Sequence, residues 1–515
     1  MSFPKKMKIA LVWPSGFSTK EIIPLPLGYL ASNIDRNSVE LKLFDCPLQG
    51  TDSSDPLFRA SLEEFDPDMV CVSCFSFNFL EALAVMRLAK SIDKKTITVI
   101  GGCHATSYAE KVMKHPEIDF LFRGEAELSF PEFVKEATKP QSDYSQVKGL
   151  AYRTKTGGLA LNEMDRIGEK EGEDMDRIKI PDYDFINLDA YIRANYRNKT
   201  RIKENAPVWV TRGCPYRCGF CSAPELNGKP IRTHSVAYMV KWIEYLYHEK
   251  GIRWINIIDD NFTYHVKYAE EFCRKIIELD LRDLRFGTPN GIRMGRGNLK
   301  LWKLMKRAGW ELLVVAPETG SQEVADLMEK DLNLETVPKI VKDIKKAGLK
   351  VHSFFIIGYP GETVADIKMT EKMIKDNHFN FFGLHRFQPL PGTPIYDDLV
   401  EKGEIEDGLL PVNYIEGTSP YLTPGLAGFS FSRFIFKNYL TWAIREPMNI
   451  PYILNMYNPY FFIKKFASTV RHLYRFPNAK KPTPLDPPVV ETIVEDPEVV
   501  EDNVETTSEI QKKAV

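Results

Sequence analysis

A chain of 515 residues with 43% hydrophobic and 27% charged side chains has the composition of a globular protein of roughly two to four domains, which excludes a fibrous or wholly disordered one. Its 68 basic and 70 acidic residues leave a net charge of -2, without the basic footprint of a nucleic-acid binder, so no nucleic-acid partner is expected. Eight cysteines in so long a chain argue against a disulfide framework. With an apolar N-terminal stretch too short for a secretory signal and no run near the ~20 apolar residues of a membrane span, a cytoplasmic location is expected.

Short β-rich runs at 8–13, 39–45, 69–73, 96–100 and 120–123 alternate with helical patterns. They predict a Rossmann-like, doubly wound parallel sheet of five strands over residues 1–138, with Leu80, Leu83, Met86 and Leu88 spaced along one buried helix face. Ligands of such sheets bind beyond the carboxyl ends of the strands. Residues 139–206 lose this rhythm and read as a connector: a hairpin over 149–162 turning at Gly157-Gly158, then a charged run over 166–179. From 207 to 400, strand candidates recur at 208–212, 254–258, 284–287, 312–316, 351–358 and 381–387, with helices between. Six such units predict a partial (β/α)6 TIM-like barrel whose working loops follow its strands, giving an α/β fold overall. A helical region is expected over 401–480. Residues 481–515, with nine acids between Asp486 and Glu509 and no aromatic, are expected to be a disordered tail.

The strongest chemical signal follows the first barrel strand: Thr211-Arg212-Gly213-Cys214-Pro215-Tyr216-Arg217-Cys218-Gly219-Phe220-Cys221. Three thiolates on one tight loop can hold three corners of an iron-sulfur cubane. A structural zinc site would be closed by a fourth ligand, and no Cys or His follows before His234. An open iron can instead chelate the amino and carboxylate groups of a small molecule.

On these residues the chain resembles the radical S-adenosylmethionine (SAM) superfamily. That resemblance implies a 4Fe-4S cluster on Cys214, Cys218 and Cys221, SAM on the open iron, and reductive cleavage of SAM to a 5'-deoxyadenosyl radical. It also implies SAM contacts from Tyr216 and Phe220 in the loop, from Asp259 and Asp260 after the second strand, from Glu318 and Ser321 after the fourth, and from the backbone at Gly358 after the fifth. Leu390-Pro391-Gly392-Thr393-Pro394 closes the series. Read singly, paired aspartates also suit helix caps and Gly-Pro clusters turns. Tyr216, Tyr359 and His385 stand at strand ends, where they face substrate or pack the barrel mouth.

The strand-end loops of the first domain resemble the cobalamin-binding domain that precedes the barrel in one branch of the superfamily, the branch of the class B methyltransferases and the magnesium-protoporphyrin monomethyl ester oxidative cyclase. The matching residues are Pro24 to Ala31, the loop with Ser73 and Ser76, Gly101-Gly102-Cys103-His104, and Gly124-Glu125-Ala126-Glu127. The resemblance implies that Ser73, Ser76, Gly101, Gly102, His104, Gly124 and Glu125 line the cobalamin. Gly101 and Gly102 would let the backbone approach the ligand. No Asp-x-His-x-x-Gly is present, so His104 is expected to be a hydrogen-bonding loop residue rather than a cobalt ligand.

The implied reaction is methyl transfer from methylcobalamin to an unactivated carbon or phosphorus of a small-molecule or lipid-like substrate, with flavodoxin or ferredoxin as electron donor. The alternatives are a non-methylating member such as the oxidative cyclase, and a methylthiotransferase-like enzyme with a second cluster on Cys46, Cys74 and Cys103. A cobalamin sensor would have no use for the cysteine triplet. Finally, residues 425–477 interleave seven Lys and Arg with aromatics against Glu446 alone, which suits either a cap over the barrel or peripheral contact with an anionic membrane.

Overall fold

A computed structural model describes residues 6–16, 22–169, 174–197, 199–411 and 419–456. In its first half, β1 (Met7–Trp13), β2 (Val39–Asp45), β3 (Met69–Ser73), β4 (Ile97–Gly101) and β5 (Phe120–Phe122) pair in parallel in the order β2-β1-β3-β4-β5. Strand β1 is buried on both sides: Ile9, Leu11 and Trp13 join one core, Ala10 and Val12 the other. The chain leaves β1 towards β2 on one side and β3 on the other. Sheets of this kind hold their ligands at that reversal, at the carboxyl ends of the strands.

Three expectations change. The hairpin forms as β6 (Leu150–Arg153) and β7 (Leu159–Leu161), but β6 pairs antiparallel with β5, so the sheet has seven strands rather than five. Part of the expected connector is therefore its edge, held by packing of Phe120 on Tyr144 and Tyr152. In the helix Phe79–Ile92, Leu83 and Met86 are buried as expected, whereas Leu80 is 64% exposed and Phe79, Ala82, Val85 and Ala89 complete the buried face. The first barrel strand is β8 (Asn205–Val208), ending before the expected 208–212. The Asp259 carboxylate takes the N–H groups of Val210 and Thr211, at 2.7 and 2.9 Å, and turns the chain away. Beyond it, β9 (Thr211–Arg212) pairs antiparallel with β10 (Arg232–Thr233).

Strand β8 then heads a second sheet with β11 (Trp254–Ile257), β12 (Arg285–Ile292), β13 (Trp310–Glu318), β14 (Lys350–Ile357) and β15 (Phe381–Arg386), all parallel and in chain order. This is the open six-stranded barrel. Two crossover helices begin on side-chain caps: Ser235 accepts from Tyr238 N–H, and Thr363 with Asp366 forms a capping box. The barrel's edges are covered. Tyr183 donates its hydroxyl to Pro207 O of β8 at 2.6 Å, and the Tyr439 hydroxyl accepts from Leu384 N–H of β15 at 3.3 Å. Tyr439 belongs to the helix Phe431–Arg445, whose Trp442 donates to Phe379 O and whose Phe431, Phe434 and Ile435 are buried in the shared core. The aromatics of this stretch thus cover the barrel's side. Residues 457–515, with the rest of that stretch and the expected acidic tail, lie outside the described residues.

The two sheets are joined by a buried ion quartet. Arg212 of β9 pairs with Glu127 at 2.6 Å and Glu125 at 3.3 Å, and Arg232 of β10 donates to Glu125 at 2.9 Å. Their side chains are at most 9% exposed. Burial works against the charge of Glu125, but the two guanidiniums prevail and hold its carboxyl below the usual range. Removing one partner strands a buried charge, whereas removing an opposite pair does not. Arg212→Met is therefore expected to lower unfolding stability by about 3–5 kcal/mol in chemical denaturation, and Arg212→Met with Glu127→Gln to recover part of that loss.

Candidate active site

The cysteine loop owes its shape to Gly213. With φ +98° it sits in the left-handed region, and a Cβ there would lie 2.2 Å from Pro230 O, so only glycine fits. The loop is staked at three further points: Cys214 N–H to Gly228 O, Gly219 N–H to Met328 O, and Ile395 N–H to Gly219 O, all at 2.9–3.0 Å. Cys218 is buried, and Cys214 and Cys221 are half-buried with free thiols. Burial pushes the Cys221 thiol up to about 12 and raises that of Cys214, with Asp260 adding to both. Loading a metal centre must therefore displace protons. Among the described residues no three Cys, His, Asp or Glu side chains converge on the single point one metal ion needs. Three soft thiols spread over one loop fit a polynuclear iron-sulfur group.

Two cations stand beside these sulfurs that carry no recognisable motif in the sequence. Arg293, just beyond β12, brings Nη1 to 3.7 Å from Cys218 Sγ and lays its guanidinium 3.4 Å over the Tyr216 ring. The carbonyls of Lys330 and Asp331 hold it there. Lys330 in turn bonds Glu318 at 2.8 Å and stands 5.6 Å over the Phe220 ring. Burial opposes the Lys330 charge, but Glu318 and the nearby Cys218 raise its pKa. Glu318 itself has φ +68° at the end of β13, a strained backbone for a non-glycine residue.

The other residues expected at SAM divide. Asp260 faces the loop: it accepts from Asn227 at 2.8 Å, burial pushes its carboxyl up to about 6, and its charge reaches Cys103, Cys214 and Cys221. Asp259 points elsewhere, its oxygens filled by Val210 and Thr211. The Ser321 hydroxyl donates to Asp366 at 2.6 Å and braces the next helix. Gly358, with φ +85°, has Phe431 packed where a Cβ would stand. Asn261, next in the chain and marked by no sequence signal beyond its neighbours, has its amide 1% exposed with neither polar atom partnered in the protein, as a group kept for a ligand would be.

In the first domain, Ser73 and Gly101 sit side by side at the ends of β3 and β4. A Cβ on Gly101 would meet only Phe122, at 3.9 Å, so no protein neighbour requires this glycine and its place at the strand end is left to the approach of a ligand. Gly102 differs from expectation. A Cβ there would lie 2.5 Å from Cys74 O, so the neighbouring backbone requires this glycine. Gly124, with φ +71°, donates its N–H to Thr106 Oγ1, and Glu125 is spent in the ion quartet. His104 Nδ1 and Ser76 Oγ are 2.9 Å apart, and the ring packs between Phe79 and Tyr108. Cys46, Cys71 and Cys74 are buried, their thiols pushed up by burial. The two sets of strand-end loops meet: Gly392, after β15, presses on Ser107, with 2.4 Å between Ser107 Cβ and the place of a Gly392 Cβ.

Comparison with known proteins accords with this arrangement. The Radical SAM superfamily matches residues 208–374 and the B12 binding domain residues 18–134. The chain is 30% identical over 480 residues to an uncharacterized methyltransferase of Pyrococcus horikoshii, covering 91% of this chain and 99% of that one. It is 26% identical over 359 residues to the anaerobic magnesium-protoporphyrin IX monomethyl ester cyclase of Rubrivivax gelatinosus, covering 69% of this chain and 62% of the relative. The radical SAM methyltransferase TsrM from Kitasatospora setae, solved with cobalamin and a 4Fe-4S cluster bound, shares the fold at TM-score 0.66 and 16% identity, over 84% of this chain and 91% of that one.

His104 gives this site a pH signature. An imidazole free in the unfolded chain titrates near 6.5, and burial, with His115 nearby, pushes the folded one down to about 4. Between those values the unfolded state binds more protons. Stability from this group is complete above pH 6.5 and is lost as pH falls towards 4, by on the order of 3 kcal/mol. Denaturation curves between pH 7.5 and 4.5 are expected to show that loss in the wild type and a flatter profile in His104→Gln. An identical slope in both would refute it.

Proposed function

Because the chain belongs to the cobalamin-binding branch of the radical SAM family, we propose that it transfers a methyl group to an unactivated carbon or phosphorus of a small molecule. The observation that carries this reading is the packing of Gly392, after β15, on Ser107, which ends the short helix that begins at Cys103 of the Gly-Gly-Cys-His segment. That contact supports a single site served by the strand-end loops of both halves. When bound, the cluster supplies the electron that cleaves SAM, and cobalamin carries the methyl group.

The chain's own part is to hold and shield. Cys214, Cys218 and Cys221 would ligate the cluster. Asp260 and the unpartnered Asn261 amide offer an acceptor and both amide functions to the amino acid end of SAM, and Glu318 is held in place by Lys330. Arg293 places positive charge beside Cys218, which favours the reduced, more negative state of a cluster there. Ser73, Ser76, Gly101 and His104 would line the cobalamin. His104 acts as a neutral side chain with Nδ1 paired to Ser76 rather than as a cobalt ligand.

A second reading, oxidative cyclisation without methyl transfer, is favoured by the likeness to the magnesium-protoporphyrin ester cyclase. Reconstituted enzyme supplied with SAM labelled in its methyl group separates the two. Methyl transfer predicts label in the product, with loss of SAM cleavage when the three cysteines are changed to Ala; turnover without label in any product would favour the cyclase.

For partners we propose a flavodoxin- or ferredoxin-type electron donor and peripheral contact with an anionic membrane. The second rests on the outer side of the C-terminal helices, where Ile444 and Met448 are 71% and 88% exposed, with Leu440 and Leu454 also exposed, near Arg433, Lys437 and Arg445. Co-sedimentation with phosphatidylserine vesicles is expected to be salt-sensitive and to weaken in Ile444→Ser with Met448→Ser. Equal recovery of both proteins with the vesicles would leave these helices as a cap alone.

A further inference from the structure

On β14 and β15 accessible and buried residues alternate. Phe354, Ile356, Gly383 and His385 keep accessible surface, while Phe355, Ile357, Phe382 and Leu384 are buried in the shared core. The first set looks into the barrel. Lys199 enters from the segment before β8 and lies on that set, its Nζ 4.1 Å over the Phe354 ring and hydrogen-bonded to Pro289 O of β12. A side chain that touches both β12 and β14 must cross β13, and the outer side is taken by the crossover helices, so Lys199 spans the concave side. It is only half-buried to water yet lies deep in the protein, which is the condition of a group lining an internal, wettable space.

Among the described residues no carboxylate pairs with this ammonium; the neutral Pro289 carbonyl is its hydrogen-bond acceptor. Burial alone pushes its pKa down to about 7. On the same face of β14, His352 is 2% exposed with both ring nitrogens unpartnered, and Lys199 lies near enough to disfavour its protonation. A buried cation without a counter-ion is costly unless an anion joins it.

We propose that Lys199, on the Phe354 face of the barrel interior, is an oxyanion subsite that takes a phosphate, phosphonate or carboxylate group of the substrate. The inference rests on reading the barrel interior as the substrate's place, and so deepens the proposed function by giving the substrate an anionic group. The oxyanion would take up the ammonium's free protons, with the Phe354 ring as an apolar floor and the neutral imidazole of His352 as a second donor through its one N–H.

Equilibrium dialysis of the reconstituted holoenzyme with labelled inorganic phosphate and, separately, acetate tests this. Saturable binding of at least one probe is expected, weakened about tenfold or more in Lys199→Met, equivalent to about 1.4 kcal/mol, and kept in Lys199→Arg. Methyl phosphate is expected to compete; a site that holds inorganic phosphate but rejects methyl phosphate would overturn the substrate-borne assignment. Cluster absorbance and melting report whether each variant folds. Should Lys199→Met not fold, reductive methylation of the wild type with labelled formaldehyde gives a dimethyl-Lys199 resonance that must shift saturably with the bound probe. Failure of both probes to bind, or equal binding by wild type and Lys199→Met, refutes the subsite. SAM cleavage by the wild type is scored separately: its absence would overturn the proposed chemistry, and saturable anion binding at Lys199 would still stand.

Discussion

Four charges buried between the two sheets set the terms for everything near the cysteine loop. Glu125 and Glu127 leave the end of β5, Arg212 and Arg232 stand on the paired β9 and β10, and each would be costly in the interior without the others. Their balance makes docking of the two halves a condition of folding the loop, because Arg212 lies two residues before Cys214. The rings of Trp209 and Tyr29, 4.5 and 5.3 Å from the Arg212 guanidinium, tie the quartet to both halves. The position of the sulfurs relative to Gly101 follows from electrostatics more than from the loop's own sequence.

Once the halves are docked, the carboxyl ends of both sheets share one interface. Each sheet alone would place its ligand crevice there. Facing them together brings groups of one half within reach of the other: Gly392 packs on Ser107, and the Asp260 charge adds to burial in raising the Cys103 thiol. Such an arrangement suits chemistry divided between two bound groups that must meet within one enclosed volume.

Much of this was legible in the sequence, and what was not has a common cause. The five parallel strands β1 to β5 and the five later barrel strands, β11 to β15, follow from local pattern. The pairing of β6 with β5 does not, since a hairpin's outer partner is set by packing across the chain, here by Phe120 on Tyr144 and Tyr152. Asp259 and Asp260 are adjacent and chemically alike, yet one braces Val210 and Thr211 while the other accepts from Asn227 beside the cysteine loop; both lie in the loop after β11, where no strand period tells them apart. Glu125 and Gly102 sit in motifs that suggest a ligand, but their neighbours give them structural work. Arg293, Lys330 and Lys199 belong to no motif, because what distinguishes each is a partner far away in sequence.

The two tyrosine hydroxyls at the ends of the open barrel bear on how the protein meets other proteins. An incomplete barrel has two strand edges, each a template for an incoming strand from another chain. On β8 one edge position is Pro207, which has no N–H to offer, and its carbonyl is already engaged by Tyr183. On β15 the Leu384 N–H is engaged by Tyr439, whose helix lies along that strand. A foreign strand would have to displace the tyrosine at whichever edge it approached before it could add to the sheet, so the opening that gives the barrel its room is guarded against strand addition at both edges.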